Sequence, residues 1–500
     1  MTRTELFFEK GDLHDLELHA LEGREAISEL YSFRVDVRSK SAMPPDELAQ
    51  TLLSEEHRAT LTLGTPEGRA QIHGMVSSVE ALPAEDAARA TFRVTVVPRL
   101  WLAAQTRRSR LYEKMTVLDI LRFVLQHDYA LEEGKDFVLR CAHRYAAEEY
   151  LVQYEESDWS FVCRILEYYG IYFWFRFDEA SQRDVLTVAD ANAAFEQYAG
   201  DEGGTIPFNP GAKLGVRNAY IIGIARVSEL RHPNHVLVHG YDFTRPKAAV
   251  VAERPSHSQA KTPSCFFWQD CETLPEAEFL ARIRGEELDV WKTRYRAQSH
   301  VSNVRPGHRF SLDQHFDQSF SRRELVVTAI DHRAVQIGAG GESGGYSNSF
   351  EALDHEPIAF RPRRLTPWPR IDGVIPAKIA ARPGMRNAGE MDRRGRYRVI
   401  VPYPSVHEGR LVPGRGSEMW IRMAQPNATQ RNARGAAGFH MPLHGGTEVL
   451  LVHVNGDPDR PVIAGALPND LAQSPIYDGV GTRGGLKTRS GITVQYDDDA

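Results

Sequence analysis

The sequence predicts a mainly β chain with a few helices (α+β). Short runs rich in β-branched and aromatic residues recur through most of its 500 residues, clusters of Gly, Pro, Asn and Asp bound them, and helical periodicity is confined to a few stretches. The clearest region lies between Trp368 and Leu467, where strands are expected at 374–381, 396–404, 419–425, 447–454 and 460–467. Tyr397, Val399 and Val401 alternate with Arg396, Arg398 and Ile400, the pattern of a half-buried strand. Asn455-Gly456-Asp457-Pro458-Asp459 joins the last two strands. Pro458 presets φ and the flanking aspartates can bond back to the backbone, so a tight hairpin is expected. Five strands in so short a stretch suggest a small closed barrel of the oligonucleotide/oligosaccharide-binding (OB) type.

Length and composition bound the rest. The chain is long enough for about three domains with real cores. It is 42% hydrophobic and 25% charged, with a net charge of −7, and so lacks the basic excess of a general nucleic-acid binder. No apolar run is long enough for a signal peptide or a membrane-spanning helix. Four cysteines cannot staple 500 residues, so a cytosolic protein with reduced thiols is expected.

Residues 1 to about 100 read mainly as strands, at 30–39, 59–64, 70–82 and 90–100, broken by loops such as Thr65-Pro66-Glu67-Gly68. Two helices follow. Thr116 with Asp119 makes a capping-box-like start, and Val117, Ile120, Leu121, Val124 and Leu125 form one apolar stripe. Ser157 can cap the second helix, whose buried face carries Phe161, Val162, Ile165, Leu166 and Tyr169, and Gly170 is a natural stop. The run at 171–177 is apolar enough for a strand covered on both faces. Strands return at 218–230, 235–243 and 322–334, interrupted by a helix with Thr273 as cap, Pro275 in its first turn, and Phe279, Leu280, Ile283 and Leu288 near one face.

Two stretches read as joints between modules. One is the Gly-rich run 338–345, and the other is the Pro- and Arg-rich run 360–370, the main expected boundary. Three regions are expected: 1–365, an OB barrel over 366–470, and a last segment over 471–500. In that segment Ile492, Val494 and Tyr496 alternate with Thr493, Gln495 and Asp497. A lone half-apolar strand can neither satisfy its backbone nor bury its face, so the same strand from other copies is the expected partner.

The runs GDPDRPVIAG (456–465), SEMWIRMAQ (417–425) and GRYRVIVPYP (395–404) resemble the OB module of VgrG proteins, the trimeric spikes of the bacterial type VI secretion system. SRLYEKMTVLDILRFVL (109–125) and YLVQYEESDWSFVCRILEYYGIYFWF (150–175) are similar to the tail-hub part of that family. The resemblance implies phage-tail-hub-like β-barrels, two of them alike, over 1–365, then the OB barrel, then the start of a trimeric β-helical needle at SGITVQYDDDA (490–500). It also implies a homotrimer on a hexameric, Hcp-type tube, with effectors and a PAAR-type tip protein at or beyond the needle. Delivery into target cells would follow sheath contraction, and neither an active site nor a cofactor is needed. Ile492, Val494 and Tyr496 are the candidate trimer contacts. The loops at 403–418 and 426–446 depart from the family's usual pattern, which bears on cargo contacts rather than fold. The alternatives are the hub of a contractile phage tail or related injection particle, and a glycan- or nucleic-acid-binding OB protein.

Other constellations read more simply as structure. Cys265 and Cys271, with His232, His235 and His239, lack zinc-site spacing, and Cys141 and Cys163 stand alone. Glu155, Glu156 and Asp158 suit a helix start, Glu286 and Glu287 a solvated helix face, and Asp497, Asp498 and Asp499 a terminal charge run without calcium-loop spacing. No GxSxG or HExxH motif occurs, and Gly484-Gly485-Leu486-Lys487-Thr488 lacks the spacing of a phosphate loop. Arg107, Arg108 and Arg110, and Arg393, Arg394 and Arg396, are small basic clusters. With Trp420 or Tyr403 they are the nearest approach to a nucleic-acid groove.

Overall fold

The computed structural model describes residues 5–10, 16–39, 44–54, 59–65, 68–83, 90–178, 183–200, 203–210, 220–229, 233–256, 265–268, 271–313, 315–321, 323–336, 345–384, 388–407, 409–412, 416–432, 435–476 and 481–498. The chain forms two compact units. The first comprises Met1–Thr106, Leu121–Tyr145 and Ser157–Pro367; the second comprises Arg107–Ile120, Ala146–Glu156 and Trp368–Ala500. The region read from sequence as unbroken over 1–365 therefore gives two of its stretches to the second unit.

In the first unit, hydrogen-bonded strands run in the order Glu5–Lys10, Ala59–Thr65, Gly68–Leu82, Thr91–Val97, Ser32–Ser39, Leu16–Ala26, Glu324–Val335, Gly345–Asp354, Thr293–Ser299 and Ile221–Ser228. From the last of these, a parallel bridge between Phe208 and Ile221 leads to Thr205–Pro207. That strand pairs with His308–Asp313, which returns to Glu324–Val335, so this half of the sheet closes into a ring. Its interior holds Ile206, Tyr295, Phe310, Leu325, Val327 and Phe350, all nearly inaccessible. Burying each such side chain contributes about 1.5–3 kcal/mol. The two β regions are not separate sheets. They join where Leu16–Ala26 lies antiparallel to Glu324–Val335, in register from Ala20↔Val335 to Ala26↔Ala329.

The helices of this unit form where their caps direct. Ser157 Oγ accepts the Ser160 N–H at 3.0 Å and starts Asp158–Tyr169. Gly170 ends it at φ 70°, where a Cβ would also lie 2.8 Å from Ile283 Cγ2. Thr273 caps Leu274–Val290 through the Glu276 N–H. The strand Tyr172–Asp178 follows Asp158–Tyr169, with Tyr172, Phe173, Trp174 and Phe175 all buried in succession, so both its faces are covered. The Gly-rich run 338–345 falls largely outside the described residues, but Val335 and Gly345 on its flanks pair with each other. It connects neighbouring strands of one sheet rather than two modules.

The second unit is built on a closed barrel: Ile375–Ile379, Tyr397–Val401, Ser417–Met423, Pro461–Leu467 and Glu448–His453, closing back on Ile375–Ile379. Only the Ser417–Met423 and Pro461–Leu467 pair is parallel, with Met423 beside Ile463. Alternate residues point inward, including Ile379, Val399, Ile421, Val449, Leu451 and Ile463. An arm from far upstream completes it. Arg108–Met115 pairs antiparallel with Glu148–Glu156 and parallel with Ser405–His407, which Arg410–Val412 extends. Leu111 and Val152 of this arm are fully buried in the barrel core. The Thr116–Asp119 start forms as a reciprocal pair, with the Asp119 N–H on Thr116 Oγ1 at 3.1 Å and the Thr116 N–H on Asp119 Oδ2 at 3.4 Å. The α-helix Val117–Phe123 that it opens then widens into a π turn at Val124–Asp128.

Candidate functional site

The last described element is a hairpin. Arg483–Lys487 pairs antiparallel with Thr493–Asp497, in register from Arg483↔Asp497 to Lys487↔Thr493. The strand expected to lack any partner within its own chain therefore has one. Gly491 sits in the turn at φ 94°, which favours glycine. Thr488 and Ile492 close the turn by a backbone bond of 2.8 Å, and the Arg483 guanidinium meets Asp497 at 3.0 Å. Pairing satisfies the backbone along one edge of each strand but buries little. Ile492, Val494 and Tyr496 are 64%, 64% and 63% exposed. These three remain an apolar row on an isolated two-stranded ribbon, which is marginal in water by itself. Leu471, on the approach to the ribbon, is almost wholly exposed.

The loop 455–459 is the other organising point of the second unit. Asn455 and Gly456 adopt φ of 56° and 74°. Asp457 Oδ1 bonds back to the Asp459 N–H at 3.0 Å and also accepts the Trp368 indole N–H at 3.2 Å. The Gly456 carbonyl accepts the Ile371 N–H at 2.8 Å. Asp459 turns to the arm instead, accepting the Val152 N–H at 2.5 Å. The turn chemistry was readable from sequence, whereas the contact with residue 152 carries no local signal.

The remaining constellations resolve into structure. Among the described residues no group of three or more His, Cys, Asp and Glu side chains converges as metal ligands. Cys271 and Cys163 are buried, Cys141 and Cys265 partly so, and all four are free thiols. His235 pairs with Glu253, and His232 lies outside the described residues. Burial pushes the Cys141 thiol up to about 12, with Asp190 adding to the shift, so it stays protonated. Asp158 is buried and accepts the Tyr129 hydroxyl at 2.6 Å. Glu286 is not on a solvated face. It is buried against the Arg361 guanidinium at 2.7 Å, with Arg254 and Arg282 at 3.4 Å. The partly buried Glu287 pairs with Arg284 at 2.6 Å. Arg361 also donates to the carbonyls of Asp190 and Gly170. The Leu365 and Thr366 N–H groups both reach Glu167 at 2.9 Å, so 360–366 is bonded down along its length rather than free.

Each basic cluster gives up one member to internal contacts. Arg110 is buried, and Arg396 is bound by Asp392 at 2.7 Å and Glu149 at 3.1 Å. Tyr403 belongs to the barrel core, and half-buried Trp420 donates its backbone N–H to the Tyr150 hydroxyl. The ribbon edges and the apolar row of Ile492, Val494 and Tyr496 face outward.

Comparison with known proteins agrees with this architecture. The spike protein VgrG1c of the type VI secretion system of Pseudomonas aeruginosa is 29% identical over 488 residues, covering 95% of this chain and 63% of its own length. The actin cross-linking toxin VgrG1 of Vibrio cholerae is 26% identical over 422 residues, 75% of this chain but 33% of the toxin. The chain thus spans less than two thirds of the length of these relatives. Among solved structures, the E. coli c3393 protein is a type VI secretion component whose structure is similar to the T4 bacteriophage tail proteins gp27 and gp5. It superposes with a TM-score of 0.66 at 20% identity, over 92% of this chain and all of that one. Residues 24–337, spanning both halves of the seamed sheet, match the phage tail baseplate hub (GPD) family, and the chain belongs to it.

Proposed function

We propose that this chain is the hub-and-barrel part of a type VI secretion spike, a structural component that caps the tube and carries effectors into target cells. The observation that carries the reading is the alignment of 488 residues with a spike protein, which covers 95% of the chain. Three copies associate through the ribbon, with Ile492, Val494 and Tyr496 turned into the three-fold contact. That burial would remove the exposed apolar row and pair the free strand edges. The spike is assembled in the cytoplasm on a hexameric Hcp-type tube and delivered by contraction. Effectors and a PAAR-type tip protein attach at or beyond the ribbon. The work is mechanical: force passes through a rigid trimer, and no reaction centre within these residues takes part. Chemistry, where a relative has it, belongs to added domains such as those the much longer toxin has room for.

Particle mass in solution tests this. Light scattering of the wild type should give three copies, and the triple variant Ile492→Asp, Val494→Asp, Tyr496→Asp should shift it toward one copy with hub and barrel still folded. A wild type that stays single at high concentration, or a variant of unchanged mass, would overturn the reading.

A further inference from the structure

The seam between the two halves of the first unit encloses a cluster of ionisable groups that the assembly reading does not use. Glu25 from Leu16–Ala26, Asp184 from Arg183–Ala189, Arg305, and His332 from Glu324–Val335 have side chains only 4%, 6%, 7% and 1% exposed. The Arg305 guanidinium lies 3.9 Å from Glu25 and 3.8 Å from Asp184, between two carboxyl groups with one positive charge to offer.

The hydrogen bonds decide where the balance falls. His332 Nε2 is 3.0 Å from Glu25 Oε1, and its Nδ1 is 2.6 Å from the Tyr346 hydroxyl, whose oxygen already accepts from Asn348 at 2.9 Å. A neutral imidazole satisfies every atom of that chain, with Nε2–H donating to Glu25 and Tyr346 O–H donating to Nδ1. His308 Nδ1 accepts the Arg305 backbone N–H at 3.3 Å, so it too is an acceptor and neutral. Glu25 has a hydrogen bond and half of Arg305. Asp184 has the guanidinium at 3.8 Å and smaller pulls from the Tyr31 hydroxyl and the His73 N–H, but neither of its oxygens meets a donor in good geometry. The other groups facing the cluster are the Tyr31 hydroxyl, which donates to the His73 carbonyl, the His73 backbone N–H beside Asp184, and Glu196 near His308, and none of these three groups carries a positive charge.

We propose that Asp184 is a proton-operated latch at this seam, holding its two halves together when protonated and loosening them when ionised. With Asp184 neutral, the one guanidinium and the one remaining carboxylate balance. With Asp184 ionised, the buried seam carries an uncompensated negative charge. Burial pushes the Asp184 carboxyl up to about 7, against the downward pull of Arg305, which puts the transition near neutrality. A carboxyl raised in the folded chain binds its proton there while the unfolded chain has lost it. Stability therefore falls as pH rises from the unfolded value through about 7, the reverse of a salt-bridged carboxylate.

Hydrogen exchange of the full chain at pH 6 and pH 8.5, corrected for the intrinsic rate, tests the latch. Protection of Leu16–Ala26 and Glu324–Val335 should drop up to about tenfold for each pH unit approaching the transition and level off above it, so by about tenfold in all between the two pH values. Protection of the barrel strands Tyr397–Val401 and Glu448–His453 should not. Asp184→Asn, which copies the neutral shape, should abolish the difference. If that variant fails to fold, the wild-type contrast between seam and barrel still decides. Equal corrected protection at both pH values, or an unchanged pH response in a folded Asp184→Asn protein, would overturn the proposal.

Discussion

Asp459 Oδ1 accepts the backbone N–H of Val152 at 2.5 Å, across 307 positions of sequence. The same loop also holds Trp368 and Ile371, so one five-residue turn fastens both the entry to the barrel and the arm laid along it. A charged acceptor on a backbone donor is the stronger kind of hydrogen bond. Asp459→Ala should destabilise the second unit by about 1.5–3 kcal/mol. Exchange protection should be lost first at Leu151 to Gln153, with Tyr397–Val401 little changed. Uniform loss over the whole barrel would show that the contact is not local to the arm.

The arm matters for packing as well as bonding. Leu111 is fully buried among barrel residues although it lies more than 250 positions before the first barrel strand. Leu111→Ala should cost about 2–5 kcal/mol through lost burial and the cavity left behind. A fragment beginning at Trp368 lacks the arm entirely. It should unfold at lower urea than the second unit in the full chain, and adding residues 107–156 as a peptide should restore part of the difference.

How much of this was legible follows from where the signals lie. The first three barrel strands alternate in burial, all five are bounded by turn residues, and each was placed to within a few residues, because local pattern and final burial largely coincide there. Ser157, Gly170, Thr116 and Thr273 announced helix ends by their own chemistry. Leu16–Ala26 was missed: a register shift between Leu18 and Ala20 breaks its period of two, and its Leu-, Glu- and Ala-rich composition suits a helix as well. Helix Pro45–Leu53 is short and opens without a side-chain cap. Glu286 looked solvated because its partner Arg361 lies 75 positions away. The seam cluster was invisible for the same reason, since Glu25 and His332 meet only after 307 positions are folded. The apolar row of the ribbon was legible. Its partner strand was not, because Arg483–Lys487 is too Gly-rich to show alternation.

Arg361 is 5% exposed, with Nε on Glu286 at 2.7 Å and Nη1 on two backbone carbonyls. Removing Arg361 leaves both carbonyls unmet and Glu286 with only the longer contacts to Arg254 and Arg282. Arg361→Ala should therefore cost about 3–5 kcal/mol in the first unit. Glu167 still holds Leu365 and Thr366, so cleavage by trypsin at Arg363 or Arg364 should rise without complete release of the connector. Arg361→Ala together with Glu286→Leu should recover part of the loss, because no buried charge is then stranded. No recovery would assign the effect to the two carbonyls.

Gly485 is the residue on which the terminal ribbon closes. A Cβ built there would lie 2.2 Å from the Val494 carbonyl oxygen and 2.9 Å from Gln495 Cα, both backbone atoms of the facing strand. Backbone cannot swing aside as a side chain can, so Gly485→Val should unpair Arg483–Lys487 from Thr493–Asp497. A two-stranded ribbon has no third strand to hold it. Residues 483–497 should then lose their exchange protection. The unfolding midpoints of the first unit and of the barrel should stay within about 0.5 kcal/mol of wild type, since nothing else is touched. Loss of trimer mass in the same sample would place the self-association in the ribbon itself. A trimer that survives with the ribbon unpaired would move the contact to the hub or the barrel and leave Ile492, Val494 and Tyr496 without that role.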